Sequence, residues 1–408
     1  MPQPAAIEIA VQHSRHTKKE REAVWSNEIS GEHGELSFND PFVVHELAAA
    51  IDCSKSNTSP GLDNITYEMI KNLPDAAKLH LLVIFNRIWL EGKLIPEWKE
   101  SLVIPILKST TDKSQPESYR PIALTSVLCK LFERLVVTRL EWFLESNNLI
   151  NPLQSGFRKH RSTNDQIVRL QDDIYKSLHN KQHTLAIFLD FSKAFDMVWG
   201  EGLLHKLKCL GIVGRMYHFI ADFLCGRTIR VGIGNEKSKI FVIENGTPQG
   251  SVLSPLLFNV MINDLPMPRD PATKASVFAD DNSAWRSGKN VNLLCRELQK
   301  HLNEVSTWAD EWGFRLSETK TTAVLFTHAF KPEIKSIKLS INGTPIKVMN
   351  EAKFLGMTFD RRLSWATHLG NVETKCKKTI NLMRSVTGNK WGASERALLT
   401  IYRMLILS

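Results

Sequence analysis

Apolar residues recur along this chain with two different periods, and the switches between them outline its elements. Val43, Leu47 and Ile51 are spaced for one face of a helix. Leu79, Leu82, Val83, Asn86 and Trp89 predict a second helix. The run Leu102 to Lys108 reads as a strand. A polar loop with Asp112, Ser114, Gln115 and Pro116 separates it from Tyr119-Arg120-Pro121-Ile122, so two strands joined by a mobile tip are expected. Helices rich in Arg and Leu follow from Ser126 to Asn147. Ser162, with Asp165 three residues on, predicts a capping box that opens an amphipathic helix through Leu178. Thr184 to Asp190 predicts a strand, and Lys193 to Val198 the opening of a helix. Another helix is expected from Ser254 to about Asn263, and a tight hairpin from Ala275 to Trp285 with Asp280-Asp281 at its tip. Val291, Leu294, Leu298, Leu302, Val305 and Trp308 form one helical stripe, stopped by Gly313. A strand over Thr321 to Phe326, a hairpin around Phe354-Leu355-Gly356 and a basic helical end from His368 complete the pattern. That end halts in mid-pattern at Ser408, as a truncated chain would. Residues 1 to about 38 are polar without a clean period and read as a flexible lead or remnant.

The mixture of helical and strand periods places the chain in the α/β (α+β) class. At 408 residues and 43% hydrophobic it is long enough for two or three packed subdomains. Lys+Arg 52 against Asp+Glu 43 leaves +9, which points to a polyanionic partner. Cys53, Cys129, Cys209, Cys225, Cys295 and Cys376 are scattered, without CxxC or Cys/His spacing, which argues against a zinc site or a disulfide framework. Val252 to Ile262, the longest apolar stretch, is too short to span a bilayer and is interrupted by Pro255, so no membrane role is expected.

Candidate chemistry concentrates in a few strings. Asp190 closes the apolar run of its strand, and Asp280-Asp281 sit at a hairpin tip. A buried, unpaired carboxylate costs several kcal/mol, and a pair of divalent cations held between two strand ends removes that cost for all three. Such a pair is what in-line phosphoryl transfer requires. Asp-Asp on its own is also an ordinary turn dipeptide; its company here favours the metal. Asp196 is assigned to capping or the surface, not to metal. Gly246-Thr247-Pro248-Gln249-Gly250-Ser251-Val252-Leu253-Ser254-Pro255 is read as a backbone that approaches a nucleotide closely, with Gln249 reaching its sugar or base. Gly156-Phe157-Arg158-Lys159-His160-Arg161 sets basic groups beside an aromatic, a pattern that fits template phosphates and equally a solvated loop.

These strings resemble the successive motifs of reverse transcriptases, most closely those of non-LTR (LINE-type) retrotransposons. Leu189 to Asp196, Gly246 to Leu256 and Phe278 to Asp281 are similar to the palm motifs of that family. Ser118 to Leu124 and Gln154 to Arg158 are similar to its fingers motifs, and Ser59 to Ile65 to its N-terminal extension. Leu316 to Thr321 and Phe354 to Gly356 resemble the later palm motifs. Phe278 departs from the Tyr of many relatives, and Leu62 and Asn64 from their small turn residues.

The resemblance implies a right-hand polymerase: fingers, a palm with an antiparallel sheet backed by helices, and a truncated helical thumb. Residues 1–38 would be a lead, 39–100 the N-terminal extension and start of the fingers, 101–183 fingers, 184–360 palm and 361–408 partial thumb. Asp190, Asp280 and Asp281 would hold two Mg²⁺ ions (Mn²⁺ as a substitute), with the Phe191 carbonyl as an added ligand. Lys108 and Arg120, facing each other on a hairpin, would clamp the triphosphate, and Phe195 would act as a steric gate against a ribose 2′-OH. Lys320 is implied as proton donor to pyrophosphate, although a solvated lysine fits nearly as well. Leu355 and Gly356 would help grip the primer, and a plain β-turn fits them equally. The implied activity is RNA-directed DNA polymerisation, with RNA template, DNA primer or target and dNTPs as partners and an endonuclease encoded upstream. The implied location is nucleus and cytoplasm. The rivals are an inactive nucleic-acid-binding relic of the same element, a group II intron maturase and a nucleotide cyclase.

Overall fold

A computed structural model describes residues 37–108, 112–329, 336–388 and 391–407. The expected lead before residue 37, the tip of the first hairpin at 109–111 and the terminal Ser408 lie outside the described residues.

Three helices open the fold: α1 (Val44–Asp52), α2 (Tyr67–Lys71) and α3 (Asp75–Glu91). The face of α3 that packs inward is Leu81, Leu82, Phe85, Ile88 and Trp89; Leu79 and Val83, assigned to the stripe by spacing, point to solvent. The aromatic residues decide the rotation, because Phe85 and Trp89 both pack on Phe132, and burying such rings outweighs burying Val and Leu. Strands β1 (Glu100–Leu107) and β2 (Tyr119–Leu124) pair antiparallel as expected. Their register sets Arg120 opposite Ile106, and the Lys108 amide donates to the Ser118 carbonyl. Lys108 and Arg120 therefore share a face as diagonal neighbours rather than standing opposite each other.

Helix α4 (Val127–Ser146) is one continuous helix, capped by Ser126, and α5 (Thr163–His179) opens on the predicted Ser162–Asp165 capping box. After β3 (His183–Asp190), residues 192–197 form turns and Val198 is irregular, in place of the helix expected over 193–198. The Phe195 and Val198 carbonyls accept from the amides of Thr247 and Gly246, which takes the acceptors a helix would use; the helix starts only at Gly200. Helices α6 (Gly200–Cys209) and α7 (Gly214–Leu224) then lead to β4 (Arg227–Ile233), β5 (Glu236–Lys237) and β6 (Phe241–Ile243). β4 joins β1 in parallel and β6 in antiparallel fashion. This first sheet thus draws strands from both sides of the boundary placed at residue 184.

Helix α8 (Ser254–Met261) precedes the hairpin of β7 (Thr273–Phe278) and β8 (Asp281–Gly288). Helix α9 (Val291–Trp312) buries the whole predicted stripe and ends at Gly313 in the left-handed conformation. Strands β9 (Thr322–Phe326), β10 (Ser340–Ile341), β11 (Thr344–Pro345) and β12 (Lys347–Met349) follow, then the β13 (Glu351–Phe354) and β14 (Met357–Asp360) hairpin. The central sheet runs β12-β9-β3-β8-β7, antiparallel except for the parallel edge pair β12 and β9. Helices α10 (Ala366–Ser385) and α11 (Glu395–Leu405) close the described chain.

Strand β3 explains its own unbroken apolar run. Leu185, Ile187 and Leu189 join the main core with α9, whereas Ala186 and Phe188 join a second core with α5 and the β13–β14 hairpin. A strand covered on both faces loses the polar alternation of a half-buried one. The architecture is mixed α/β, with sheets backed by helices. Among the described residues, no helix is long and apolar enough to cross a membrane.

Candidate active site

Asp190 is the last residue of β3, and the β3–β8 register places it directly opposite Asp281. Residues paired across two strands point to the same face, so both carboxylates leave the sheet on the side of Phe188, beside the β13–β14 hairpin. Phe278 pairs with Asp281, which leaves Ala279 and Asp280 as a two-residue turn. Ala279 has φ 54°, a value that L residues rarely adopt. Asp280 and Asp281 are exposed, and Asp190 is half-buried.

The Asp190 backbone is held from both directions. Its carbonyl accepts from the Ser317 amide at 2.8 Å, and its amide donates to Thr321 Oγ1 at 3.3 Å. This turn brings Lys320 into the site, with Nζ 3.4 Å from Asp190 Oδ2. That contact has no hydrogen-bond geometry, and Oδ2 is otherwise a buried acceptor without a donor. Phe191 is buried; its neighbours Asp190 and Ser192 supply the hydrogen bonds to Ser317 and Arg315.

The electrostatics are those of crowded anions. Packing around the turn holds the Asp280 carboxyl above its ordinary range; the charge of Asp190 adds to this, and Arg120 acts in the opposite sense. Asp281 is raised by packing first, then by Asp280 and Asp190, with Lys353 opposing. Arg120 of β2 and Lys353 of β13 are thus the cations whose charges oppose these shifts. Among the described residues, no three His, Cys, Asp or Glu side chains are gathered tightly enough to form a ready-made metal cage. A donorless Asp190 oxygen beside two exposed carboxylates is nevertheless a donor set that suits a hard cation. Mg²⁺ takes only one or two carboxylates from protein and completes its shell with water and phosphate.

Several predicted residues have different neighbours from those expected. Phe195 is half-buried, stacked on Phe258 at 4.5 Å between ring centroids, with the Phe157 ring edge-on at 6.1 Å. Gln249 Nε2 donates to Asp196 Oδ1, 3.0 Å away. The close approach in the Gly246 to Ser254 loop is to protein backbone: a Cβ on Gly250, at φ 135°, would lie 2.3 Å from the Ala123 carbonyl oxygen. Leu355 and Gly356 form the β13–β14 turn, both with positive φ, as a type I′ hairpin requires.

Arg158 is not free for phosphate. Its guanidinium makes a two-pronged contact with Glu145 and donates to the Asn151 and Gln154 carbonyls. Gly156 is buried, which leaves Phe157, 49% exposed, as the accessible member of that trio. Arg158→Met is expected to lower unfolding free energy by about 1.5–3 kcal/mol. The salt dependence of template binding should stay unchanged in the same variant, as measured by filter binding across a salt series.

Sequence reasoning missed a set of buried polar residues that brace this site. Glu133 of α4, wholly buried, accepts through Oε2 from Ser251 Oγ and from the Val252 and Leu253 amides. Asn259 of α8 donates to the Gly156 carbonyl. The signal was available: each sits where an apolar residue belongs in a helical stripe (Phe132-Glu133, Phe258-Asn259), and buried polar groups are kept where they are hydrogen-bonded.

The sequence model described as "Reverse transcriptase (RNA-dependent DNA polymerase)" matches residues 106–359, which include every residue of the site described above. The chain belongs to the reverse transcriptase family. Its relatives are the polymerases of non-LTR retrotransposons. The "Probable RNA-directed DNA polymerase from transposon BS" of Drosophila melanogaster is 34% identical over 370 residues, 89% of this chain and 40% of the relative. The "RNA-directed DNA polymerase from mobile element jockey" of the same species is 30% identical over 370 residues, with the same shares covered. A type-2 retrotransposable element R2DM polyprotein, also from that fly, is 28% identical over 74% of this chain and 29% of its own length. This reverse transcriptase domain thus spans about 40% of the length of the first two relatives.

Proposed function

We propose that this reverse transcriptase domain extends a DNA 3′-OH on an RNA template, using deoxynucleoside triphosphates, by two-metal-ion nucleotidyl transfer. The observation that carries the reading is the register pair Asp190–Asp281 at a sheet end, with Asp280 in the adjoining turn. When bound, Mg²⁺ supplies Lewis-acid polarisation of the attacking hydroxyl and of the phosphates. Asp190, Asp280 and Asp281 would hold it, with the Phe191 carbonyl as an added ligand. Arg120, whose charge already acts on Asp280, orients the triphosphate through its planar fork, and Lys108 adds a point charge on the same face. Lys320, with Nζ 3.4 Å from Asp190 Oδ2, would donate a proton to the leaving pyrophosphate. Gln249 borders the nucleotide, and the Leu355–Gly356 turn borders the primer end. Phe157 offers an exposed ring to the template.

In this reading the β1–β2–β4 sheet with α4 and α5 forms the fingers, the central sheet the palm, and α10 and α11 the start of the thumb. RNA template, DNA primer or target and dNTPs are the partners. An endonuclease belongs to the remainder of a longer protein, which acts in nucleus and cytoplasm.

Incubated with poly(rA)/oligo(dT), dTTP and Mg²⁺, the purified chain is expected to incorporate label, and chelation to stop it. A folded protein that binds the template–primer but incorporates nothing would instead mark an inactive nucleic-acid-binding relic. Phe195 supplies a second check. Its ring is fixed by Phe258 behind it, so truncation opens space without moving the backbone. Phe195→Ala should lower the preference for dTTP over UTP by tens- to a few hundredfold, read from kcat/KM for each nucleotide.

A further inference from the structure

The turn that carries Asp280 does not hold itself. Ala279 is buried in a left-handed conformation, and its amide has no water to bond. That amide donates to Gln154 Oε1 at 3.0 Å, and the same oxygen accepts from the Gly156 amide at 2.7 Å. Gln154 is 2% exposed, and its Nε2 is buried without a hydrogen-bond partner. The amide is therefore fixed by its oxygen alone. Gly156 lies so close under the turn that a Cβ would come within 2.5 Å of the Ala279 nitrogen.

The strap is stitched to the sheet behind the turn. The Ser155 amide donates to the Val277 carbonyl, so residues 154–155 cover the free edge of β7. Gln166 Nε2 donates to Ser155 Oγ, and Gln166 Oε1 accepts from Ser276 Oγ. Gln154, Ser155, Gln166 and Ser276 are all buried. A chain of buried polar contacts thus runs from α5 through the strap to the backbone next to Asp280.

We infer that Gln154 is a positioning residue, which through the Ala279 amide sets where the Asp280 carboxylate stands relative to Asp190 and Asp281. The inference rests on the nucleotidyl-transfer reading above. Gln154 touches neither substrate nor metal; it acts by fixing one backbone amide of a strained turn. Misplacing a reacting group by about 1 Å costs on the order of a hundredfold in rate.

The test compares the 408-residue chain with its Gln154→Met variant, which keeps the volume and removes the acceptor. Hydrogen exchange of the amides at 277–282, without metal or nucleotide, should quicken in the variant by roughly ten- to a hundredfold, since those amides lose their closed state. Single-nucleotide incorporation should fall on the order of ten- to a hundredfold. Its half-saturating Mg²⁺ concentration should rise several-fold, while the template–primer Kd stays within about twofold. Gln154→Glu, which keeps an oxygen at the acceptor position, should recover most of the rate. If Gln154→Met does not fold, Ser276→Ala loosens the same strap by one hydrogen bond and should shift exchange and Mg²⁺ response in the same direction. A raised Kd for template–primer with an unchanged Mg²⁺ response would make Gln154 a template contact and overturn the inference. Unchanged exchange at 277–282 would also overturn it. Should the unmodified chain incorporate nothing, the nucleotidyl-transfer reading falls; faster exchange would then leave only a structural strap, and the role toward Asp280 would be lost with it.

Discussion

Asp280→Asn should abolish nucleotide incorporation and at the same time make the metal-free protein harder to unfold. Asn preserves the size and hydrogen-bonding outline of the side chain but removes the charge that would hold a cation beside Asp190. The loss of rate should be on the order of 10³-fold or more, with template–primer binding within about twofold. The gain in stability follows from crowding. Packing and the neighbouring Asp190 raise the carboxyl of Asp280 above its unfolded value, so the folded state holds its proton more tightly. The stability that proton contributes is present at acid pH and is lost as pH rises through the raised value. At pH 7 the ionised Asp280 therefore works against the fold, and Asn does not. Without metal, Tm of the variant should exceed that of the unmodified chain at pH 7, and the gap should close as pH falls through the range just above an ordinary carboxylate. Added Mg²⁺ should raise Tm of the unmodified chain and not of the variant. Equal incorporation, or a variant less stable at neutral pH, would contradict the assignment.

Glu133→Ala should be the most destabilising single change discussed, at about 3–5 kcal/mol. Glu133 lies in the first turns of α4 and is completely enclosed, yet it is not a wasted charge. Cys129 Sγ donates to one carboxylate oxygen, and Ser251 Oγ with the Val252 and Leu253 amides donate to the other. The buried guanidinium of Arg227 lies within its field and has one nitrogen without a partner. Truncation would orphan the Ser251 hydroxyl and the Val252 amide just ahead of α8, the Leu253 amide keeping Ser251 Oγ, and would leave Arg227 as an uncompensated buried cation. Urea unfolding should show the midpoint falling at unchanged slope. Gln, which retains an oxygen acceptor, should cost less. The loop released is the one that carries Gln249, so KM for nucleotide should rise in any Glu133 variant that still folds.

What the sequence made legible divides by the range of the forces concerned. Local signals were mostly read correctly: the Ser162 capping box, the α9 stripe closed by Gly313 and the Leu355-Gly356 turn came out as expected, whereas the hairpin tip expected at Asp280-Asp281 falls one residue earlier, at Ala279-Asp280, because Asp281 already pairs with Phe278 in the strand. Strand β3 and the hairpin of β7 and β8 were placed correctly, and their register brought Asp190 to Asp281. Long-range competition was not legible. The segment 193–198 lost its helix because Gly246 and Thr247, some fifty residues on, claim its carbonyls. The face of α3 was set by Phe132 of another helix, not by spacing within α3. Strand β4 was overlooked although Ile229, Val231 and Ile233 alternate, because its partner β1 is remote in sequence and parallel to it. Arg158 looked like a phosphate ligand from its basic neighbours, and only the fold shows Glu145 already holding it. Gln154 was passed over because a polar residue beside Ser and Gly reads as loop until its burial is known.

The most direct measurement is to count and place divalent ions in the assembled complex. Crystals of the chain with an RNA template, a dideoxy-terminated DNA primer and dTTP, grown with Mn²⁺, would be examined by anomalous scattering. Two peaks about 3.5–4 Å apart are expected, bridged by Asp190 and the Asp280–Asp281 pair and touching the triphosphate. A nucleotide bound with no peak within coordination distance of Asp190, or with both ions elsewhere, would contradict the account.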